Sequence, residues 1–407
     1  MRHFRVPLAW LNLTHDRRRF VLFSLGIALA VVLIFVEYGF RNALLDSNEL
    51  LIQKLNADLA VISGRRAALP FRETFARHRL AQIAGVPGVR SVHPLYMEYY
   101  LSPLRSPDKA PERRGPNRPI RVIGVDPGAF LLKFPELDPA PDAANSRVKE
   151  LQQFGRALFD RGAKTDINKR SESIFGAVAP GVETDLGRKQ VRVVGEVDLG
   201  IDFGADGTLI MSEDSFVELL RRPYCLGDPR AEVEFGLVRL DPAADRRAVQ
   251  QQIRSAFPEG DLVILTIDEL MEREHQFWLE STPIGFVFGL GMGLSFIIGM
   301  VICYEILSSD VADHLAEYAT LKAIGYTNRY LSMVVFQQAL FMALAGFVPG
   351  VCVSWVVYRY LAYLTALPMW MTPGRVGFVL GLTVLMCAGS ALLAVRKAKE
   401  LDPAEVF

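Results

Sequence analysis

Apolar residues are concentrated in four long runs, one near the N-terminus and three close together in the C-terminal third. The runs cover residues 20–36, 281–304, 330–358 and 376–395. Each is about as long as a helix that crosses a bilayer core, roughly 20 residues at 1.5 Å rise. The pattern therefore predicts membrane helices over residues 20–40, 281–305, 330–358 and 376–395.

The segment between the first two runs, residues 41–280, is too polar to lie in lipid and is long enough for one or two domains. A strand–helix–strand pattern occurs in it twice, over residues 57–63, 72–84 and 89–96, and again over residues 232–240, 242–257 and 261–266. Two such units separated in sequence predict a split ferredoxin-like subdomain.

The residues between these two units, about 101–230, are expected to form an inserted subdomain. We expect a helix over 146–162 and strands over 191–197 and 208–211 there. Amphipathic helices are predicted over 43–59 and 267–280, where they would form a two-helix stalk. The predicted fold class is thus an α+β membrane protein with one plus three transmembrane helices and a large extracytoplasmic α+β domain on a helical stalk.

Lys and Arg residues near the ends of the runs predict the orientation. Arginines cluster before the first run, and basic residues follow the fourth. By the positive-inside rule, an amphipathic helix at 1–19, the connection at 306–329 and a tail at 396–407 are cytoplasmic, whereas 41–280 and the short loop 359–375 are periplasmic. No small-x-small cleavage site follows the first run, which favours a retained helix over a cleaved signal peptide.

Small residues one turn apart occur in the last three predicted spans, where they let helix backbones approach closely in lipid. These positions are Gly285, Gly289 and Gly293, then Gly346 and Gly350, then Gly377 and Gly381. They predict a tightly packed bundle and a homodimer.

Sequence signatures of catalysis are missing from the chain. It has no P-loop, no H-E-x-x-H and no G-x-S-x-G motif, and its six histidines show no metal-ligand spacing. A net charge of zero gives no sign of a nucleic-acid partner. We expect no enzyme activity, no metal and no cofactor, so any driving energy would come from a partner.

The connection between the second and third runs carries the densest signal, SSDVADHLAEYATLKAIGYTNRY over residues 308–330. A helix N-cap is expected at Ser308, Ser309 or Asp310, a helix stop at Gly325 and a fresh N-cap at Thr327. A short cytoplasmic helix held between two spans can be displaced by a partner on the cytoplasmic side of the membrane. The alternative is an ordinary solvated connecting helix.

Residues 317–326, EYATLKAIGY, resemble the coupling-helix motif of the MacB/FtsX-like ABC transporter permeases. The preceding residues 304–311, YEILSSDV, are most similar to the DevC-type branch. Residues 396–406 and 8–13 also resemble the family's ending and its segment before the first span. The middle insertion carries no such motif.

The resemblance implies a homodimeric permease in the bacterial inner membrane that transmits the motion of a separate ABC ATPase, which binds the ATP. A periplasmic membrane-fusion adaptor and a TolC-like outer-membrane protein are the implied partners, and glycolipid, other lipidic or amphipathic cargo the implied substrate. By the motif match, the ATPase-docking residues are Asp310, Glu317, Tyr318, Leu321, Lys322, Ala323, Ile324 and Gly325.

Two alternatives share this architecture. One is an FtsX-like signal transmitter that regulates a periplasmic cell-wall hydrolase, and the other is a lipoprotein-release permease. The large insertion favours export over hydrolase regulation, since a regulator needs less exterior mass. A membrane-anchored exterior enzyme is the weakest interpretation.

Overall fold

The chain divides into two compact units in the computed structural model, which describes residues 17–100, 102–108, 117–140, 145–165, 173–220, 228–257, 260–314, 317, 320 and 324–400. The helical unit comprises residues 1–43, 283–361 and 369–407. The sheet unit comprises residues 44–282 and 362–368.

Nine α-helices occur among the described residues. They are α1 (Arg17–Lys54), α2 (His78–Ala84), α3 (Val148–Leu151), α4 (Glu213–Leu219), α5 (Arg246–Ala256), α6 (Ile267–Glu280), α7 (Pro283–Asp313), α8 (Asn328–Thr365) and α9 (Pro373–Glu400). Two short 3-10 helices lie at Pro127–Ala129 and Pro135–Leu137.

Thirteen β-strands occur in the same described ranges. They are β1 (Leu59–Ser63), β2 (Phe75–Ala76), β3 (Val89–Glu98), β4 (Pro103–Leu104), β5 (Arg118–Pro119), β6 (Arg121–Val125), β7 (Arg156–Asp160), β8 (Glu183–Leu186), β9 (Lys189–Val197), β10 (Thr208–Ser212), β11 (Glu232–Val233), β12 (Phe235–Leu240) and β13 (Leu262–Thr266).

Four helices are long and apolar enough to cross a membrane, as the sequence predicts. The qualifying segments are Phe20–Lys54, Pro283–Asp313, Ser332–Thr365 and Pro373–Arg396. Two of these helices run further than the apolar runs alone suggest, because α1 continues to Lys54 and α7 continues to Asp313. Most of the expected amphipathic helix at 1–19, and the tail from 401 to 407, lie outside the described residues.

The ferredoxin-like subdomain is confirmed by the strand order. The sheet begins β13-β1-β12-β3, with every neighbouring pair antiparallel. Numbered along the chain, this is the order 4-1-3-2 of two strand–helix–strand units, with α2 and α5 as the helices. The separated repeats in the sequence therefore come together in one sheet.

The insertion continues this sheet. Its link is β3, whose residues 89–95 pair with β12 while residues 96–98 pair with β6. The full order of the 11-stranded sheet is β13-β1-β12-β3-β6-β10-β7-β9-β8-β4-β5. The strands expected over 191–197 and 208–211 are present as β9 and β10.

The helix expected over 146–162 is wrong for most of its length. Only Val148–Leu151 is helical, and Arg156–Asp160 forms the strand β7 between β10 and β9. Residues 157–160 are all buried, since both faces of this part of the sheet are covered. A strand buried on both faces has no alternating polar positions, so its short apolar run cannot be told from a helix by periodicity.

The sheet unit has two apolar cores, one on each face of the sheet. Strand β1 contributes to both, with Leu59 and Val61 in one core and Ala60 and Ile62 in the other. The first core contains the buried sides of α2, α4 and α5. The second contains Leu51 and Ile52 from the end of α1, Leu55 directly after it and Leu270 from α6. The two predicted stalk helices thus cover one face of the sheet.

The stalk helices also make direct polar contacts. His275 Nδ1 of α6 lies 2.9 Å from Glu49 Oε1 of α1. Directly before His275, the buried Glu274 carboxylate accepts hydrogen bonds from Trp278 Nε1 at 2.8 Å and from the Leu69 backbone N–H at 3.0 Å. Helix α6 is therefore attached to the segment that follows β1.

That segment is held in place by a buried arginine. The Arg66 guanidinium donates to the carbonyl oxygens of Leu69, Glu73 and Glu234 at 3.1, 3.0 and 3.2 Å. It also lies 4.1 Å from the centre of the Phe235 ring. Backbone carbonyls and a ring face compensate part of the cost of burying this cation.

Close helix packing in the helical unit involves some of the predicted glycines. A Cβ added at Gly346 would lie 2.6 Å from Ile27 Cβ, and one at Gly350 would lie 2.7 Å from Val31 Cγ1. Helices α8 and α1 therefore approach too closely for a side chain at these positions. Gly291, outside the predicted set, has Glu37 carboxylate oxygens at 2.7 Å and 3.0 Å from its would-be Cβ.

The remaining predicted glycines have open space beside them in this single chain. An added Cβ would meet no described atom within 4 Å at Gly289, Gly293, Gly377 and Gly381. Gly285 is half-buried. Gly299, which the sequence pattern missed, packs tightly against Met386 and Ala30. The glycine rows therefore divide into positions packed within the chain and positions facing outward.

Replacing Glu274 should change how the stability of the chain depends on pH. Burial raises the pKa of this carboxyl from the ordinary 4.5 to about 7, against the opposing hydrogen bonds from Trp278 and Leu69 and the charge of Arg66. The folded state therefore binds this proton more tightly than the unfolded state does. The resulting stabilisation is fully present below pH 4.5 and is lost as the pH rises through about 7.

Between pH 5 and 8 we therefore expect the wild-type chain to lose about 3 kcal/mol more than Glu274→Gln loses. Thermal unfolding of the full chain, followed by tryptophan fluorescence at both pH values, measures the difference. Glu272→Gln, two residues away on the exposed side of α6, is the matched control and should follow the wild type. Parallel pH dependence in all three proteins would show that Glu274 does not titrate in this range.

A single methyl group should distinguish the packed glycines from the open ones. Gly346→Ala forces a Cβ against Ile27 and should destabilise the chain by about 1–3 kcal/mol. Gly377→Ala adds the same group where nothing lies within 4 Å, and the better helix propensity of Ala should make it neutral or stabilising. Thermal unfolding in detergent, at a concentration where the chain is monomeric, measures both. Equal effects of the two substitutions would contradict the α1–α8 packing.

Candidate functional site

The candidate site is the connection between α7 and α8, with the helix ends that flank it. Helix α7 runs without a break through Ser308 and Ser309 to Asp313. The expected N-cap in this region is therefore wrong, because these residues lie inside a helix. Asp310 is buried, and its carboxylate accepts a hydrogen bond from Gln338 of α8.

Asp310 joins the two helices that flank the connection. Its Oδ2 accepts a hydrogen bond from Gln338 Nε2 of α8 at 3.0 Å, and both residues are buried. His314 Nδ1 lies 2.9 Å from the Asp310 backbone oxygen and 3.6 Å from Oδ1. Among the predicted docking residues that the structure describes, Asp310 is thus buried, whereas Glu317, Ile324 and Gly325 are exposed.

The end of the connection forms the predicted turn. The Ile324 N–H donates to the Thr320 carbonyl at 3.1 Å, which is a helical i→i−4 bond. Gly325 follows with φ of +104°, a conformation that residues with a Cβ rarely adopt. Helix α8 then begins at Asn328, directly after Thr327. Gly325 therefore ends one helical turn shortly before the next helix starts.

This turn exposes apolar and aromatic side chains. Ile324 is 72% exposed and Tyr326 is 45% exposed, and the Tyr326 ring lies 4.7 Å from that of Tyr330. Glu317 is also exposed. The other predicted docking residues, Tyr318, Leu321, Lys322 and Ala323, lie outside the described residues.

Sequence reasoning missed Gln338. A signal was present, because an amide side chain inside an apolar run is costly in lipid unless it finds a partner. Gln338 is not ionisable, and Asp310 falls in the predicted connection 306–329 and not in a predicted span. Among the described residues, no group of three or more His, Cys, Asp or Glu side chains could hold a metal ion.

Two family models match this chain, and together they cover both units. The MacB-like periplasmic core domain matches residues 20–256, and the FtsX-like permease C-terminal domain matches residues 284–403. No curated protein sequence matches the chain.

Two solved structures resemble parts of the chain at low identity. The periplasmic region of MacB from Actinobacillus actinomycetemcomitans is 12% identical with a TM-score of 0.34, over 54% of this chain and 94% of that one. The extracellular domain of the noncanonic ABC-type transporter YknZ from Gram-positive bacteria is 12% identical with a TM-score of 0.32, over 52% of this chain and 99% of that one.

The MacB-like model alone spans more than half of the sequence. The FtsX-like model spans the last three membrane helices and their connections. The chain therefore belongs to the MacB/FtsX-like family of ABC transporter permeases, membrane subunits that work with an ABC ATPase.

Proposed function

We propose that this chain is the permease subunit of an ABC exporter and that a separate ATPase docks on the connection between α7 and α8. The observation that carries the proposal is the exposed Ile324 and Tyr326 at the Gly325 turn. Partly aromatic apolar groups, held on a short turn between two membrane helices, are typical of a protein-binding surface. ATP is bound and hydrolysed by the partner, and this chain needs no cofactor of its own.

The orientation follows from charge. The arginines before the first span and the basic residues after the fourth favour cytoplasmic termini, so the connection faces the cytoplasm and the sheet unit faces the periplasm. In this orientation the protein is a multi-pass protein of the bacterial inner membrane. An ATPase below the connection would then act on α7 and α8 directly.

A homodimer is supported by the outward-facing glycines. Gly289 and Gly293 on α7 and Gly377 and Gly381 on α9 leave backbone exposed with nothing packed beside it in one chain. In lipid such positions are typical of helix–helix contacts, because they allow close van der Waals approach of a second backbone. A second copy of this chain fits the family's symmetric assembly.

Cargo and downstream partners follow from the DevC-like residues 304–311. They support the export of glycolipid, other lipidic or amphipathic molecules through a membrane-fusion adaptor and a TolC-like outer-membrane protein. Motion entering at the connection would reach the sheet unit through α1, which contributes to the cores of both units. Cargo would be expelled from the periplasmic side and need not pass between the helices.

The two alternatives predict different partners. An FtsX-like transmitter would co-purify with a cell-wall hydrolase, and a lipoprotein-release permease would co-purify with its ATPase and no adaptor. Recovery of an adaptor with the tagged full chain would favour export over both.

A charge at Ile324 should weaken ATPase binding without disturbing the fold. Ile324→Glu changes a side chain that is 72% exposed, so folding should be unaffected, whereas a docked interface would have to bury the new carboxylate. We expect at least about tenfold less ABC ATPase to co-purify from native membranes with the tagged chain. Phe154→Glu changes a residue of the sheet unit that is 62% exposed; it is the control and should retain the ATPase. Full recovery of the ATPase with Ile324→Glu would place the docking surface elsewhere.

A further inference from the structure

Asp310 occupies an unusual position for a residue expected to dock a partner. The residue is 7% exposed and belongs to the membrane helix α7. A buried carboxylate is costly unless its oxygens accept hydrogen bonds. Here the Gln338 amide of α8 donates one at 3.0 Å. Asp310 is therefore buried within the helical unit of this chain, against α8.

Gln338 depends on this bond as much as Asp310 does. It is completely buried, and its Oε1 has no hydrogen-bond partner in the described part of the chain. The apolar residues Val311 and Val335 belong to the core around the pair. In such a water-poor environment the bond to Asp310 is the interaction that orients the amide, because no solvent can replace it.

The pair lies on both sides of the connection. Asp310 is three residues before the end of α7 at Asp313, and Gln338 lies in the third turn of α8, which begins at Asn328. The bond thus bridges the two helices close to the points where the connection enters and leaves them. A displacement of the connection that separated α7 from α8 would load this bond.

We propose that Asp310 and Gln338 are positioning residues that fix the spacing of the two helix ends, so that α7 and α8 move together when the connection is pushed. The proposal deepens the coupling role stated above and rests on it for its functional meaning. The spacing itself is a property of this chain alone. It can therefore be tested without the ATPase.

The test uses double electron–electron resonance to measure the distance between α7 and α8. The full chain is placed in lipid nanodiscs for this measurement. Spin labels are attached at Ala312→Cys and Arg329→Cys, which are exposed positions at the two helix ends, after the four native cysteines are replaced by serine. In nanodiscs that each hold one copy of the chain, the wild-type pair should give one narrow distance distribution. Asp310→Leu removes the acceptor, and the distribution should broaden to at least twice that width.

Conservative variants separate positioning from simple destabilisation. Asp310→Asn keeps an acceptor oxygen for Gln338 and should keep the narrow distribution. In the double variant Asp310→Asn with Gln338→Glu, the donor and the acceptor exchange positions. This variant should also give the narrow distribution, although both buried side chains are changed. Asp313→Asn, exposed on the last turn of α7, is the matched control and should have no effect.

A narrow distribution in folded Asp310→Leu would overturn the proposal, and so would broadening in both the Asn variant and the double variant. If Asp310→Leu does not fold, those two variants decide the outcome. The ATPase test is independent of this result. The distance distribution could depend on Asp310 in a chain with which no ATPase co-purifies. That result would support the positioning role of Asp310 and Gln338 and contradict the coupling function.

Discussion

In the bilayer, the apolar segments of this chain have to be helical. Without water to hydrogen-bond to peptide groups, each segment has to satisfy its own backbone, and a helix does so. Four long helices follow from this constraint. Apolar surface gives little driving force for packing once it is in lipid, so the helices associate through close contact, as where Gly346 and Gly350 meet Ile27 and Val31.

Helix α1 begins in the helical unit and ends in the sheet unit. Its residues Ile27, Val31 and Phe35 belong to the core of the helical unit, and its residues Leu51 and Ile52 belong to a core of the sheet unit. A helix of 38 residues is about 57 Å long, well beyond the roughly 30 Å of a bilayer core. Helix α1 therefore has side chains in two separate cores.

Buried polar contacts complete the attachment at both ends. In the sheet unit, Glu274 ties α6 to the segment after β1, which Arg66 holds in turn. In the helical unit, Gln338 ties α8 to Asp310 of α7. Each contact requires polar groups to be removed from water, which costs free energy. Because hydrogen bonds are directional, each contact favours one arrangement of the neighbouring elements more strongly than apolar packing alone does.

Much of this could be predicted from the sequence, for identifiable reasons. The apolar runs predicted the four spans, and the repeated strand–helix–strand pattern predicted the 4-1-3-2 sheet. The strand β7 was mistaken for a helix because burial on both faces removes the alternating pattern. The outward or inward direction of a glycine depends on neighbouring helices, so the spacing alone could not separate Gly346 from Gly377. Periodicity likewise gave no sign that Asp310 would pair with Gln338.

The central claim is that motion driven by an ATPase at the connection reaches the stalk helix α6. One spin label per chain at Glu272→Cys, on the exposed side of α6, reports the distance between the two copies in the complex with its ATPase. The account predicts that this distance shortens when ATP hydrolysis is trapped with vanadate, together with the distance between labels at Ala312→Cys. A change at Ala312 with an unchanged distance at Glu272 would contradict it.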